Sequence, residues 1–171
     1  MKKDIKIALT GFMGVGKSSV SRHLSHILRT QRVDLDHFIE IHENRKVAVI
    51  IDNDGLDQYR KLETEYLERF LGESPAAILS LGGGTFTVAD NRDLLRDHGF
   101  TCVWLESTFE HCWLNISFSK KDRPLARDKQ SARKLFEERQ KIYCLADWHF
   151  IVRPDFTSFD VAKKIADEIF S

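Results

Sequence analysis

Two patterns alternate along the chain: short strand-like runs, and longer stretches whose apolar positions recur at helical spacing. Runs at residues 5–9, 31–35, 76–81, 101–105 and 148–152 predict five strands. The run at 76–81 is apolar but for Ser80, as in a strand buried on both faces of a parallel sheet. Helical spacing predicts a helix over 17–28, with Val20, Leu24, Ile27 and Leu28 on one face, and another over 57–71, with Tyr59, Leu62, Tyr66 and Phe70 as its stripe. Further helices are predicted over 91–98, 107–116, 130–146 and 161–170, the last burying Ala162, Ile165, Ala166 and Ile169. Asp36 reads as a cap for a helix after the second strand. Residues 47–56 fit no single period: an apolar run is followed by the turn-like Asp52-Asn53-Asp54-Gly55. Residues 117–129 are polar and read as a mobile loop.

Strands alternating with helices, without a repeat or low-complexity linker, predict an α/β fold around a mainly parallel five-stranded sheet. A length of 171 residues suits one domain. Because 26 basic residues balance 26 acidic ones, no global field pulls the chain toward nucleic acid or an anionic membrane. No apolar run is long enough for a membrane span. The basic opening at residues 1–6 lacks an apolar stretch behind it and reads as the approach to the first strand. Cys102, Cys112 and Cys144 show no metal spacing, so the expectation is reduced, buried thiols in a cytoplasmic protein.

The candidate chemistry begins at Gly11-Phe12-Met13-Gly14-Val15-Gly16-Lys17-Ser18, which matches GxxxxGK[ST] between a predicted strand and a predicted helix. Glycines let the backbone close around phosphates, and the amides of the new helix terminus point at the anion. Lys17 can reach the β- and γ-phosphates, and the Ser18 hydroxyl can bind Mg²⁺. The pattern predicts a nucleoside triphosphate site. No NKxD-type guanine-reading motif accompanies it.

Four other features suggest an acceptor. Asp34 and Asp36, two apart at the end of the second strand, project to one side, toward the crevice that strand C-termini line. Gly82-Gly83-Gly84 leaves bare backbone after the third strand. Arg139 falls among Leu135, Phe136, Ile142, Tyr143 and Ala146, the inward stripe of its helix, where a guanidinium needs an anion. Arg60 is placed similarly, although Glu63 could pair with it at i,i+3.

The ordered set of the phosphate loop, Asp34-Leu35-Asp36, Tyr59-Arg60-Lys61-Leu62-Glu63, Leu81-Gly82-Gly83-Gly84, Arg123-Pro124-Leu125, Glu138-Arg139, Tyr143 and Ala146-Asp147 resembles the shikimate kinases over nearly the whole chain. The resemblance implies a nucleoside-monophosphate-kinase-like fold of the P-loop NTPase class, as one domain over 1–171. A substrate-binding subdomain would lie at about 36–63 and a lid at about 117–129. It implies transfer of the ATP γ-phosphate to the 3-hydroxyl of shikimate, in aromatic amino-acid biosynthesis, by a cytoplasmic monomer. Gly11, Gly14, Val15, Gly16, Lys17, Ser18 and Ser19 would hold ATP together with Arg123. Ser18 and Asp34 would hold Mg²⁺. Asp36, Arg60, Gly82, Gly83, Gly84 and Arg139 would hold shikimate. Lys17, Asp36 and Arg123 would be catalytic, Asp36 as proton acceptor and Arg123 from the lid.

The chain departs from the family's usual pattern in two places. Asn44-Arg45-Lys46 and Val49-Ile50-Ile51 replace a Gly-x-Ser and Ile-x-x-Ile-Phe-like stretch, so Ile51 stands where an aromatic residue usually walls the substrate; Tyr59 replaces a Phe, and Gly55-Leu56 a Gly-Glu pair. Residues 111–116 lack the arginine that often stacks on adenine, which leaves Arg153 and Pro154 as a candidate platform. Two other readings fit the motifs: a related kinase of another small polyol acid such as gluconate, and a non-catalytic nucleotide-binding relative.

Overall fold

The computed structural model describes residues 4–171, so the basic opening at 1–3 lies outside the described residues. The chain runs β1 (Ile7–Thr10), α1 (Lys17–Leu28), β2 (Arg32–Asp34), α2 (Leu35–Glu43), α3 (Val47–Asp54), α4 (Leu56–Glu73), β3 (Ile78–Ser80), α5 (Ala89–Asp97), β4 (Thr101–Glu106), α6 (Phe109–Phe118), α7 (Lys129–Tyr143), β5 (Trp148–Ile151) and α8 (Ser158–Phe170). All four strand pairings are parallel, in the order β2-β3-β1-β4-β5. Central β1 is flanked by β3 and β4 with Ile7 opposite both Ile78 and Thr101. Its Ile7, Ala8 and Leu9 are fully buried, because helices cover both faces of the sheet. The order changes direction at β1, so the loop after β1 opens into the crevice at the sheet's C-terminal edge.

Residues 47–56, unassignable from periodicity, form α3, then the break at Gly55 (φ 89°), then the first residue of α4. No side chain of the preceding loop caps α3. Its first amide, Val47 N–H, donates instead to Glu40 Oε2 of α2 at 2.9 Å. That support comes from another helix, so no local capping pattern marks the start.

The second helix begins two residues earlier than the cap assigned to Asp36 implies. Asp34 is the N-cap, its Oδ1 accepting the Asp36 N–H at 3.1 Å, and Asp36 sits in the first turn of α2. The cause is that β2 ends at Asp34, leaving its carboxylate free to fold over the new helix terminus. Cys102 and Cys112 are buried as expected, but Cys144 is exposed, lying just past α7 where the chain turns outward. No helix among the described residues is long and apolar enough to cross a membrane.

Candidate active site

The loop from Gly11 to Gly16 is shaped by close approach. Gly14 has φ 79°, and a Cβ there would lie 2.5 Å from the Cys112 carbonyl. Gly16 (φ 105°) precedes α1, and no side chain caps that helix. The first-turn amides of α1 are therefore free for an anion. Lys17 turns back over the loop, its ammonium donating to the carbonyls of Gly11 at 2.6 Å and Phe12 at 3.1 Å. Burial lowers its pKa to about 8, with Cys112, Asp36 and Asp34 opposing the shift and Arg139 adding to it. Ser18 Oγ donates to Asp34 Oδ2 at 2.7 Å. Asn115 of α6 fastens the loop from the far side, Nδ2 donating to the Gly14 carbonyl at 2.8 Å.

This loop borders a cleft of about 550 Å³ whose polar lining includes Lys17, Ser18, Asp34, Asp36, Lys121 and Arg123. His111, Asn115, Val152 and Phe156 also line it. Arg153 and Pro154 are not among the lining residues; Arg153 instead lies 5.7 Å from the Phe156 ring. A second cavity opens from the same place, lined by Asp36, Ile51, Tyr59, Arg60, Arg123 and Arg139 among others. Asp36, Lys121, Arg123, Gly82 and Gly83 border both, so the two spaces meet there.

Arg139 of α7 is buried, at 6% exposure, and forms no ion pair among the described residues. Burial lowers its pKa; Tyr143 opposes the shift, and the Arg60 charge adds to it. A Cβ on Gly83 would lie 3.0 Å from Arg139 Nη1, and one on Gly84 2.1 Å from Arg60 Nη2. The glycine run thus makes room for both guanidinium groups. Tyr143 Oη donates to the Gly83 carbonyl and fixes the same backbone from behind. Arg60 does pair with Glu63, Nη1 to Oε1 at 2.9 Å, yet still lines the cavity. Glu63 is buried and also accepts from Thr85 Oγ1 at 2.8 Å.

The connection at 119–128 crosses over this junction. Its Lys121 Nζ lies 3.3 Å from Asp36 Oδ2, and its Arg127 pairs with Asp52 of α3 at 2.6 Å. Burial lowers the Arg123 pKa and the Asp36 charge opposes that shift. The predicted residues therefore converge: the phosphate loop, Asp34, Asp36 and Arg123 on the cleft, and Arg60, Gly82–Gly84 and Arg139 on the cavity beside it. Sequence reasoning missed Lys121, one of several loop lysines, and the Tyr59 hydroxyl, whose partner Asp36 lies on another helix. It also missed the wall supplied by Val47 and Ala48.

Comparison with known proteins agrees with this geometry. The shikimate kinase family model matches residues 13–170. A shikimate kinase of Persephonella marina is 38% identical, over 82% of this chain and 85% of that protein. One of Lactococcus lactis is 33% identical over 96% and 98%. Among solved structures, shikimate kinase from Acinetobacter baumannii in complex with shikimate superposes with TM-score 0.88 at 30% identity, covering 98% of this chain and 94% of that one. A phosphate loop facing two acidic residues, with buried Arg139 and half-buried Arg60 beside them, together with a family match over almost its whole length, establishes that this chain belongs to the shikimate kinase family of phosphotransferases.

Proposed function

We propose that the chain transfers the γ-phosphoryl group of ATP to the 3-hydroxyl of shikimate, using the residues that line the cleft and its side cavity. The observation that carries this reading is Arg139, a buried guanidinium without a carboxylate partner among the described residues, beside Arg60 and within one cavity of Asp36. Two arginines suit the bidentate capture of a carboxylate, and Asp36 suits a hydroxyl on the same small molecule.

The roles follow from position. The free amides at the start of α1, with Gly11, Gly14, Val15, Gly16 and Ser19 around them, cradle the phosphates. Lys17 leaves the Gly11 and Phe12 carbonyls and turns to the β- and γ-oxygens. Arg60 and Arg139 hold the acceptor carboxylate over Gly82–Gly84. Asp36 orients the acceptor hydroxyl and takes its proton as the oxygen attacks phosphorus; the bond from the γ-phosphorus to the bridging oxygen breaks, and ADP leaves. Arg123 neutralises charge on the transferring group, which is where most of the catalysis of phosphoryl transfer lies.

The Ser18 hydroxyl and the Asp34 carboxylate are hard oxygen donors 2.7 Å apart at the cradle's edge, a set that fits Mg²⁺ completed by phosphate oxygens and water. Mg²⁺ bound there supplies charge neutralisation on the phosphates. Residues 36–63 serve as the acceptor-binding part and 117–129 as the lid, a division supported by the Arg127–Asp52 pair between them. All groups needed come from one chain, which supports a monomer, and the balanced charge and the metabolic chemistry suit a cytoplasmic enzyme without nucleic-acid or membrane partners.

The test is ADP release with ATP and Mg²⁺, first with shikimate and then with gluconate. Turnover with shikimate is expected. Turnover with gluconate alone, or ATP binding without turnover, overturns the reading.

A further inference from the structure

The Tyr59 ring is 2% exposed, and its hydroxyl lies between two carboxylates: 3.3 Å from Asp36 Oδ1 and 3.4 Å from Glu63 Oε2. A phenol has one proton to donate. Glu63 is already supplied, Oε1 by Arg60 Nη1 at 2.9 Å and Oε2 by Thr85 Oγ1 at 2.8 Å. Asp36 Oδ1 has no other side-chain donor among the described residues, whereas Oδ2 faces the cleft and meets Lys121 Nζ at 3.3 Å. We propose that the Tyr59 hydroxyl is a positioning residue for phosphoryl transfer, donating its proton to Asp36 Oδ1 and so presenting Oδ2 to the acceptor hydroxyl.

Three observations support the direction of that bond. Burial and the neighbouring charges of Asp36 and Glu63 push the phenol pKa far upward, so Tyr59 stays protonated and can only donate to a carboxylate. The ring is held by its surroundings: the Arg60 guanidinium lies 5.6 Å from its centroid. A Cβ on Gly82 would lie 2.9 Å from Asp36 Oδ1, so the glycine leaves Oδ1 room to turn inward toward the phenol. An aspartate in the first turn of a helix has two rotatable side-chain bonds. A fixed donor on one oxygen removes that freedom before the acceptor arrives, which lowers the cost of orientation in the reaction.

The inference rests on the proposed kinase activity and is tested by Tyr59→Phe, which keeps the ring and removes only the hydroxyl. Glu63 braces Arg60, which holds the acceptor, so loss of a bond to Glu63 would appear as a raised shikimate KM. Loss of a bond to Asp36 would appear in kcat. Expected are a kcat lower by about tenfold, the size of one hydrogen bond to a charged group, KM values for shikimate and ATP within about twofold, and an unchanged melting temperature. An unchanged kcat overturns the inference, and so does a raised shikimate KM at constant kcat. A wild-type enzyme inactive on shikimate would instead contradict the proposed function, so the two failures are distinguishable.

Discussion

The donor and acceptor halves of the cleft are built in opposite ways. In the proposed assignment the donor half is one contiguous stretch, residues 11–18, that offers backbone amides and a single lysine. The proposed acceptor half is assembled from α2, α3, α4, the glycine run, α7 and the connection at 119–128, and it offers side chains that meet only in the folded chain. A contiguous backbone site leaves a spacing pattern in sequence. An assembled side-chain site leaves only anomalies, such as an arginine in an apolar stripe.

That contrast can be broken most sharply at Lys17. Lys17→Ala should remove turnover and leave the melting temperature near that of the parent, because the side chain's partners are loop carbonyls rather than core groups. Retained turnover would detach the donor half from the chemistry.

A second prediction separates the halves by pH. Burial lowers the Lys17 pKa to about 8, so the fraction charged falls as pH rises through that value. The kcat/KM for ATP should therefore fall about tenfold per pH unit above it. Phosphates in the complex hold the proton on, so kcat should fall only at higher pH. Shikimate capture by Arg60 and Arg139 should stay flat over the same range, since guanidinium groups remain charged. Steady-state profiles with each substrate varied in turn check this; a parallel fall in both would contradict it.

The smallest expected effect is at Gly84. A methyl group there would sit 2.1 Å from Arg60 Nη2, and the guanidinium would have to move. The Gly84 backbone (φ −104°) accepts alanine without strain. Gly84→Ala should raise the shikimate KM about fivefold, a cost of about 1 kcal/mol, with ATP kinetics unchanged. An unaltered KM would remove Arg60 from substrate binding.

The same contrast explains what could be read before the structure. The alternation of periods gave the parallel sheet and its five strands, and the loop motif fell between β1 and α1 as expected. Arg139 was legible because burial of an unpaired charge is costly, so its place in an apolar stripe demanded a ligand. Residues 47–54 were not legible as a helix. Val49-Ile50-Ile51 hides the 3.6-residue period, Asp52-Asn53-Asp54-Gly55 imitates a turn, and the start is held by Glu40 from another helix. Asp36 was given the cap that Asp34 provides, since the two differ only in where β2 stops. Tyr59 looked like a core aromatic; its significance lies in Asp36, 23 positions away in sequence and 3.3 Å away in space.

The proposed division of the cleft into separable donor and acceptor halves makes Arg139 the anchor of the second. Calorimetric titration of shikimate and of a non-hydrolysable ATP analogue into the parent and Arg139→Ala proteins tests it directly. Shikimate affinity should drop about a hundredfold, as expected for a lost charge-assisted pair, while the nucleotide binds within about twofold of the parent. Unchanged shikimate affinity, or a collapse of nucleotide binding, would rule out that division.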